Sequence, residues 1–134
     1  GSAWIVDPSR TRTLLTHHRK LGKWLQLGGH ADGDLDLAAV ALREAHEESG
    51  LTRLRPVGAA LFDVDRHWIP ERKSEPGHWH HVLRFVIEAD PDEPLIISAE
   101  SKDLAWVEIA RMAEYNPEES MMRMARKTLA GHAR

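Results

Sequence analysis

The sequence predicts a mixed α/β domain in which helices cover the faces of a β-sheet. Short apolar runs typical of strands alternate with two segments that carry helix-start and helix-stop signals. The chain has 134 residues, of which 42% are hydrophobic, so a single domain over residues 1–134 can bury a substantial core. No repeat, low-complexity tract or linker divides it.

Three short strands are predicted in the N-terminal part of the chain. Residues 3–6 and 13–16 are apolar runs, and residues 7–10 between them, Asp-Pro-Ser-Arg, favour a turn. This arrangement predicts an antiparallel hairpin. A third run, residues 24–27, ends at a double glycine that begins at Gly28.

The first helix is predicted over Leu37–Ser49. Asp36 precedes it and is a suitable N-cap, because its carboxylate can accept a hydrogen bond from a backbone N–H of the first turn. Gly50 follows it and supplies the C-terminal stop, because glycine readily adopts the left-handed conformation that ends many helices.

The second half of the chain is predicted to hold three strands and a helix. Residues 57–65 and 79–88 are read as strands on either side of a loop rich in proline and charge, residues 69–77. Residues 104–107 form the last strand. Pro117 is predicted at the first position of a C-terminal helix, where its missing N–H is harmless.

Charge and composition narrow the range of functions. A net charge of −3 argues against a broad basic surface for nucleic acid, and no apolar run approaches the roughly 20 residues that span a bilayer. The chain has no cysteine, so disulfides and thiolate chemistry are excluded and a cytoplasmic location is expected. The oligomeric state stays open, with a homodimer as one alternative.

Three glutamates of the first helix form the most informative feature. Glu44, Glu47 and Glu48 are spaced three and four residues apart, which places them on one helical face. Their like charges repel unless a cation lies among them, and Mg²⁺ takes carboxylate oxygens. The spacing therefore predicts a metal site. The alternative is a solvated acidic helix face.

Residues 29–51 resemble the Nudix box, the signature of the Nudix hydrolases. The box is a glycine, five residues, a glutamate, seven residues, and then Arg-Glu-aliphatic-x-Glu-Glu-x-Gly-aliphatic. The positions in register are Gly29, Arg43, Glu44, Glu47, Glu48, Gly50 and Leu51. The resemblance implies the Nudix α/β/α sandwich with a mixed β-sheet. It also implies hydrolysis of a diphosphate linkage in a small-molecule nucleoside diphosphate derivative, by water attack at phosphorus, with Mg²⁺ or Mn²⁺.

The resemblance also implies roles for individual residues. Glu47 and Glu48 are the expected metal ligands, and Glu44 is expected to be a further ligand or the base near the attacking water. Arg43 is expected to orient a glutamate, with an ordinary surface charge as the alternative. A backbone carbonyl from Gly29, or from the preceding glycine, is a further expected metal ligand.

The box departs from the family pattern at one important position. Leu35 stands where the family has its first glutamate, and Asp34 and Asp36 flank it. The missing glutamate generally supports the metal site, so weaker metal affinity or slower turnover is expected. A catalytically weak or inactive nucleotide-binding or regulatory module is therefore the alternative function.

Two further residues are assigned by their position. Glu100 precedes the late strand with Trp106, at the interval where many family members carry a glutamate that reaches the metal or the water. An exposed loop glutamate is the alternative. His30 follows the double glycine and is a candidate substrate contact, with a structural hydrogen bond as the alternative.

Acidic residues and histidines alternate along the two predicted middle strands. If these strands pair as a hairpin, its open end is expected to bring together a cluster consisting of Asp63, Asp65, His67, His78 and His80. The cluster would form a substrate pocket or an accessory metal site, because imidazoles coordinate transition metals and bind phosphate when protonated. The alternative is that the histidines are bonded to neighbouring carboxylates.

The role of the tryptophans and the identity of the substrate are less narrowly predicted. Trp24, Trp68 and Trp79 offer faces on which a base can stack, although packing is the favoured role for at least two of them. Oxidised nucleoside triphosphates, nucleotide sugars, dinucleoside polyphosphates and non-nucleotide diphosphates all remain open as substrates. Specificity is expected in the loops, chiefly residues 66–77.

Overall fold

A computed structural model describes residues 1–28, 36–58, 61–71, 73–99 and 101–134 of the chain. The strands are β1 (Ser2–Val6), β2 (Arg12–His18), β3 (Trp24–Leu25), β4 (Leu27–Gly28), β5 (Leu54–Pro56), β6 (Asp63–Ile69), β7 (His78–Ala89) and β8 (Ser101–Glu108). The helices are α1 (Leu37–Ser49), a 3-10 helix (Ile109–Glu114) and α2 (Glu119–Leu129).

The described strands form one mixed sheet around β1. Strand β1 runs antiparallel to β2 and β4 and parallel to β7, and β7 in turn pairs with β5 and β6. Strand β2 also pairs with β3 and β8. The predicted α/β class and the predicted hairpin of β1 and β2 are both confirmed.

Among the described elements, α1 covers one face of the sheet, and α2 with the 3-10 helix covers the other. Because side chains alternate along a strand, Trp4 and Val6 of β1 join the core on the α2 side, and Ala3 and Ile5 join the core on the α1 side. On the α2 side the Trp4 indole N–H donates a hydrogen bond of 2.8 Å to Thr128 Oγ1. The result is the α/β/α layering that the resemblance implied.

Helix α1 has the predicted bounds and the predicted caps. The Asp36 carboxylate accepts a 3.1 Å hydrogen bond from the backbone N–H of Ala39. Gly50 ends the helix in the left-handed conformation, with φ of 75°, and its N–H donates to the carbonyl oxygen of His46. Both ends of the helix that carries the glutamates are therefore fixed by local interactions.

The prediction of one strand over residues 57–65 was wrong. The chain forms β5 and β6 instead, separated by a segment that contains Gly58 with φ of 71°. The backbone N–H groups of Val57 and Phe62 still donate to β7, to the carbonyl oxygens of Val86 and Arg84. Gly58, directly after Val57, adopts a positive φ, which glycine permits.

The start of the C-terminal helix also differs from the prediction. Helix α2 begins at Glu119 with Glu118 as its N-cap, so Pro117 precedes the helix and does not occupy its first position. The side-chain oxygen of Asn116 accepts a 3.0 Å hydrogen bond from the Glu118 N–H, which favours a turn before the helix. The preceding 3-10 helix was not predicted.

Within the described ranges, no helix is long and apolar enough to cross a bilayer.

We expect Gly50→Ala to destabilise the protein more than Gly22→Ala. Both glycines have a positive φ, 75° and 64°, so alanine should cost about 1–2 kcal/mol at either position. At Gly50 a Cβ would also lie 2.7 Å from the Cβ of Ile96, whereas at Gly22 no described residue beyond its chain neighbours comes within 4 Å. Overpacking should add about 1 kcal/mol or more. Urea unfolding measures both free energies, and the additional substitution Ile96→Ala should restore part of the loss at Gly50. Equal losses at the two glycines would contradict this account.

Candidate functional site

The glutamates of α1 lie where the helix meets the end of β4. The Glu48 carboxylate accepts a 3.1 Å hydrogen bond from the backbone N–H of Gly28. The Glu44 carboxylate is mostly buried and lies 3.8 Å from the guanidinium of Arg43, while Glu47 is exposed to solvent. Helix α1 therefore places Glu48 beside the glycine that precedes residues 29–35 in the sequence.

The donor chemistry of this face suits a hard divalent cation. Carboxylate oxygens are ligands that Mg²⁺ prefers, and this helix carries three carboxylates, one of them beside Gly28. Among the residues that the structure describes, no three acidic or histidine side chains converge closely enough to hold a metal ion. The metal-ligand roles of Glu44, Glu47 and Glu48 therefore stay predictions.

The second expected cluster is divided by the register of the hairpin formed by β6 and β7. Asp63 pairs with Arg84 at the open end, whereas His67 pairs with His80 and Ile69 with His78 near the turn. His67 lies four positions after Asp63 along β6, which corresponds to about 13 Å of strand. The expected gathering of all five residues at the open end was therefore wrong. The side chain of His67 lies outside the described residues.

Asp63 is instead the centre of a structural ion-pair network. Its buried carboxylate lies 3.0 Å from Arg84 of β7, 2.8 Å from Arg123 and 2.7 Å from Lys127, the last two on α2. Asp65 is half-exposed and lies 3.8 Å or more from the same arginines. A carboxylate surrounded by three cations is not available to histidines or to a metal.

A model of the family described as the NUDIX domain matches residues 2–127 of the chain. The chain belongs to the Nudix family. This confirms the membership that the Nudix box implied, and with it the predicted class of enzyme, a Nudix pyrophosphohydrolase acting on nucleoside diphosphate derivatives.

Solved structures share the Nudix fold over nearly the whole chain. An Ap4A hydrolase from C. elegans, in a binary complex, is 19% identical, with 98% of this chain and 96% of that chain covered and a TM-score of 0.74. A NUDIX-family hydrolase from Clostridium perfringens is 21% identical, with 96% and 93% covered and a TM-score of 0.74. The NUDIX domain of Shewanella oneidensis NrtR, in complex with ADP ribose, is 16% identical, with 96% and 85% covered and a TM-score of 0.64. A search of curated proteins finds no match.

Several residues of the predicted Nudix site lie outside the described residues. Gly29, His30 and Leu35 lie in the sequence between β4 and α1, and Glu100 directly precedes the first residue of β8. The neighbours of Glu100 are described: the Ala99 carbonyl accepts a 3.1 Å hydrogen bond from Arg19 Nε. Of the histidines in the hairpin turn region, exposed His78 has a ring nitrogen 3.1 Å from the Pro76 carbonyl oxygen.

The cations around Asp63 were not predicted from the sequence of this Nudix domain. Arg84 is 5% exposed and interrupts an otherwise apolar stretch of β7, so a charged residue in a buried strand was the available signal. Burial by itself would raise the pKa of Asp63, but the hydrogen bonds from Arg123 and Lys127 outweigh it and lower the pKa from 3.8 to about 2.

We expect Asp63→Asn to destabilise the domain in a pH-dependent way. Because the folded pKa is depressed, ionised Asp63 contributes stability above pH 4, and this contribution is lost as the pH falls through about 2. At pH 7 the substitution should cost about 3–5 kcal/mol, since it leaves buried cations uncompensated. Urea unfolding at pH 7 and pH 3 should show the gap to the wild type narrowing at pH 3.

Asp65→Asn is the matched control for this substitution. Its carboxylate is half-exposed and its ion pairs are long, so its removal should cost less than about 1 kcal/mol. A gap for Asp63→Asn that is the same at pH 3 and pH 7, or equal to the gap for Asp65→Asn, would contradict the network's role.

Proposed function

We propose that this Nudix domain hydrolyses a diphosphate linkage in a nucleoside diphosphate derivative, with Mg²⁺ or Mn²⁺ as cofactor and water as the nucleophile. The observation that supports this best is the hydrogen bond between the Glu48 carboxylate and the Gly28 N–H. It holds the acidic face of α1 against the strand end that leads into the Nudix box loop.

A divalent cation would neutralise charge on the phosphoryl oxygens and lower the pKa of a bound water. The residues of this chain would hold the cation and orient the attacking water. Glu47 and Glu48 would ligate the metal with the Gly29 carbonyl, and Glu44 would ligate it or accept the proton of the attacking water. The 3.8 Å contact between Arg43 and Glu44 favours an orienting role for Arg43 over that of an ordinary surface charge.

Glu100 and His30 complete the proposed site. Glu100 would act on the metal or the attacking water from its position directly before β8. The residues on either side of it, Ala99 and Ser101, each accept a hydrogen bond from Arg19, which follows β2. His30 would contact the phosphates near the double glycine. The strand register places His78, His80 and the position of His67 on the face of the hairpin that carries Asp63, opposite the α1 side, so the substrate contact predicted for these three histidines is not part of the proposed site.

The substrate is proposed to be a small nucleotide derivative. Two of the similar structures are an Ap4A hydrolase and a NUDIX domain in complex with ADP ribose, and Ap4A and ADP ribose both carry phosphoanhydride linkages. The net charge of −3 supports a small-molecule partner over nucleic acid.

We expect Glu47→Gln to reduce hydrolysis by about 100-fold or more, because loss of one metal ligand removes several kcal/mol of charge stabilisation. Phosphate and pyrophosphate release from a panel of nucleotide derivatives, with Mg²⁺ or Mn²⁺ and with a chelator, measures the effect. Glu119→Gln is the control, since Glu119 is an exposed helical glutamate on α2. Glu119→Gln should keep full activity.

A second candidate function is nucleotide binding without efficient turnover, and Leu35 is the observation that favours it. Tight nucleotide binding with no turnover in any metal would support this function and would contradict the hydrolase. A loss of activity in Glu47→Gln and Glu119→Gln alike would contradict the assignment of Glu47.

We expect Leu35→Glu to raise turnover and to lower the Mg²⁺ concentration for half-maximal activity. A glutamate at this position restores the family pattern, and an added carboxylate near the site should strengthen cation binding. Leu35→Gln is the control, because it matches glutamate in size but lacks the charge. A metal titration of the rate measures both effects. Equal behaviour of the two variants would show that position 35 does not act on the metal through charge.

A further inference from the structure

We infer that a protruding hairpin binds an aromatic ring at the far end of a two-part nucleotide substrate. The hairpin consists of residues 64–69 of β6 and 78–83 of β7 and is named the tryptophan arm here. The inference rests on the proposed function for the identity of the substrate, and it assigns a separate binding surface to the arm.

The tryptophan arm extends beyond the body of the sheet. Strand β7 has twelve residues, and its pairing with β1 begins only at Arg84. From His78 to Leu83 the described pairing partner of β7 is β6 alone. The two strands therefore form a ribbon with two accessible faces.

One face of the arm continues the side of the sheet that carries α1. Trp68 and Trp79 are directly opposite each other in the register, so their side chains share a face. Alternation along β7 places Leu83 and Phe85 on that same face, and Phe85 packs against the core cluster beneath α1. The indoles thus lie on the same side of the sheet as the glutamates.

The base of the arm adjoins the candidate site. Arg84 is paired with Ser2 of β1, Ser2 is paired with Gly28 of β4, and the Gly28 N–H is bonded to Glu48. Trp79 lies five positions before Arg84 along the strand, a distance of about 17 Å. This distance suits the far group of a two-part substrate rather than its reacting phosphates.

The two indoles form an exposed aromatic pair. Trp68 is 52% exposed and Trp79 is 49% exposed, with ring centroids 5.5 Å apart and an interplanar angle of 73°. The Arg66 guanidinium carbon lies 4.5 Å from the centre of the Trp79 ring. Indole faces and guanidinium planes are the groups on which bases stack in nucleotide-binding proteins.

The turn of the arm holds Trp68 in place. A Cβ on Gly77 would lie 2.4 Å from Cζ2 of the Trp68 indole, so the ring packs against the glycine with no space for a methyl group. A ring positioned before binding loses less conformational entropy when a ligand stacks on it.

The charge of this face favours an anionic ligand over a second copy of the chain. The face carries Arg66 and His81 and no carboxylate, whereas the acidic residues of β6, Asp63 and Asp65, are on the opposite face. A second copy related by a two-fold axis through this face would bring its Arg66 towards the first. A nucleotide brings both an aromatic base and negative charge.

Kinetics with two substrates test the inference. A dinucleoside polyphosphate and a nucleoside triphosphate share one nucleoside and differ in the second base. Trp79→Leu and Trp68→Leu should each raise KM for the dinucleoside substrate about tenfold, with KM for the triphosphate unchanged, because one base–aromatic stack is lost. Gly77→Ala should raise the same KM although both rings remain, since its methyl group displaces Trp68. Tyr115→Leu, which removes an exposed ring elsewhere, is the control.

A binding measurement separates this inference from the proposed function. In the presence of a chelator, binding of the dinucleoside polyphosphate should quench tryptophan fluorescence. Trp79→Leu should raise the Kd for this binding about tenfold. If no substrate is hydrolysed but this loss is seen, the arm is supported and the proposed function fails. If hydrolysis proceeds and the tryptophan variants change neither KM nor binding, or change KM for both substrates equally, the inference is overturned. A wild-type dimer that Trp79→Leu converts to a monomer would also overturn it.

Discussion

The burial of β1 on both faces is the constraint on which the rest of the structure depends. Residues Ala3, Trp4, Ile5 and Val6 are fully buried, so every position of this short strand must be covered from one side or the other. Helix α1 covers one side and α2 the other, and β7 and β2 occupy its flanks. Because β4 pairs with the first residues of β1, the same strand also fixes Gly28, which bonds to the helix that carries the glutamates. The position of the site is thus a consequence of how the core closes around one strand.

Two groups of acidic residues have opposite surroundings and therefore opposite roles. Asp63 is buried beside Arg84, Arg123 and Lys127. Burial opposes ionisation, but the hydrogen bonds from Arg123 and Lys127 lower the pKa of Asp63, and they join α2 to β6. The carboxylates of α1 occupy the border between helix and solvent, where Glu47 is exposed and Glu48 is hydrogen bonded to a backbone N–H. A carboxylate neutralised by cations stabilises the fold, whereas carboxylates that share one helix face favour a bound cation. Acidic residues in the sequence take different roles according to which cations the fold brings to them.

The two faces of the β6–β7 hairpin have different surroundings. At the base of the hairpin, Arg84 belongs to the ion-pair network around Asp63. The opposite face of the hairpin is on the α1 side of the sheet and carries Trp68 and Trp79. Large aromatic side chains half-exposed on a ribbon are unusual for a surface that has only to be soluble. Their packing against Gly77 and Arg66 is consistent with a surface shaped for binding.

The sequence by itself determined the parts of this protein that depend on local interactions. The caps of α1 at Asp36 and Gly50, the first hairpin, and the Nudix box with its glutamates on one helix face all arise between residues close in the chain, and each was predicted. The break between β5 and β6 and the start of α2 were missed, because they depend on the positive φ of Gly58 and on a hydrogen bond from the Glu118 N–H to the Asn116 side chain. Only the tertiary structure decided that Asp63 meets cations about 60 residues away on α2, that the histidines lie away from it, and that Trp68 faces Trp79. Strand register and helix docking follow from packing of the whole chain, and no local pattern contains them.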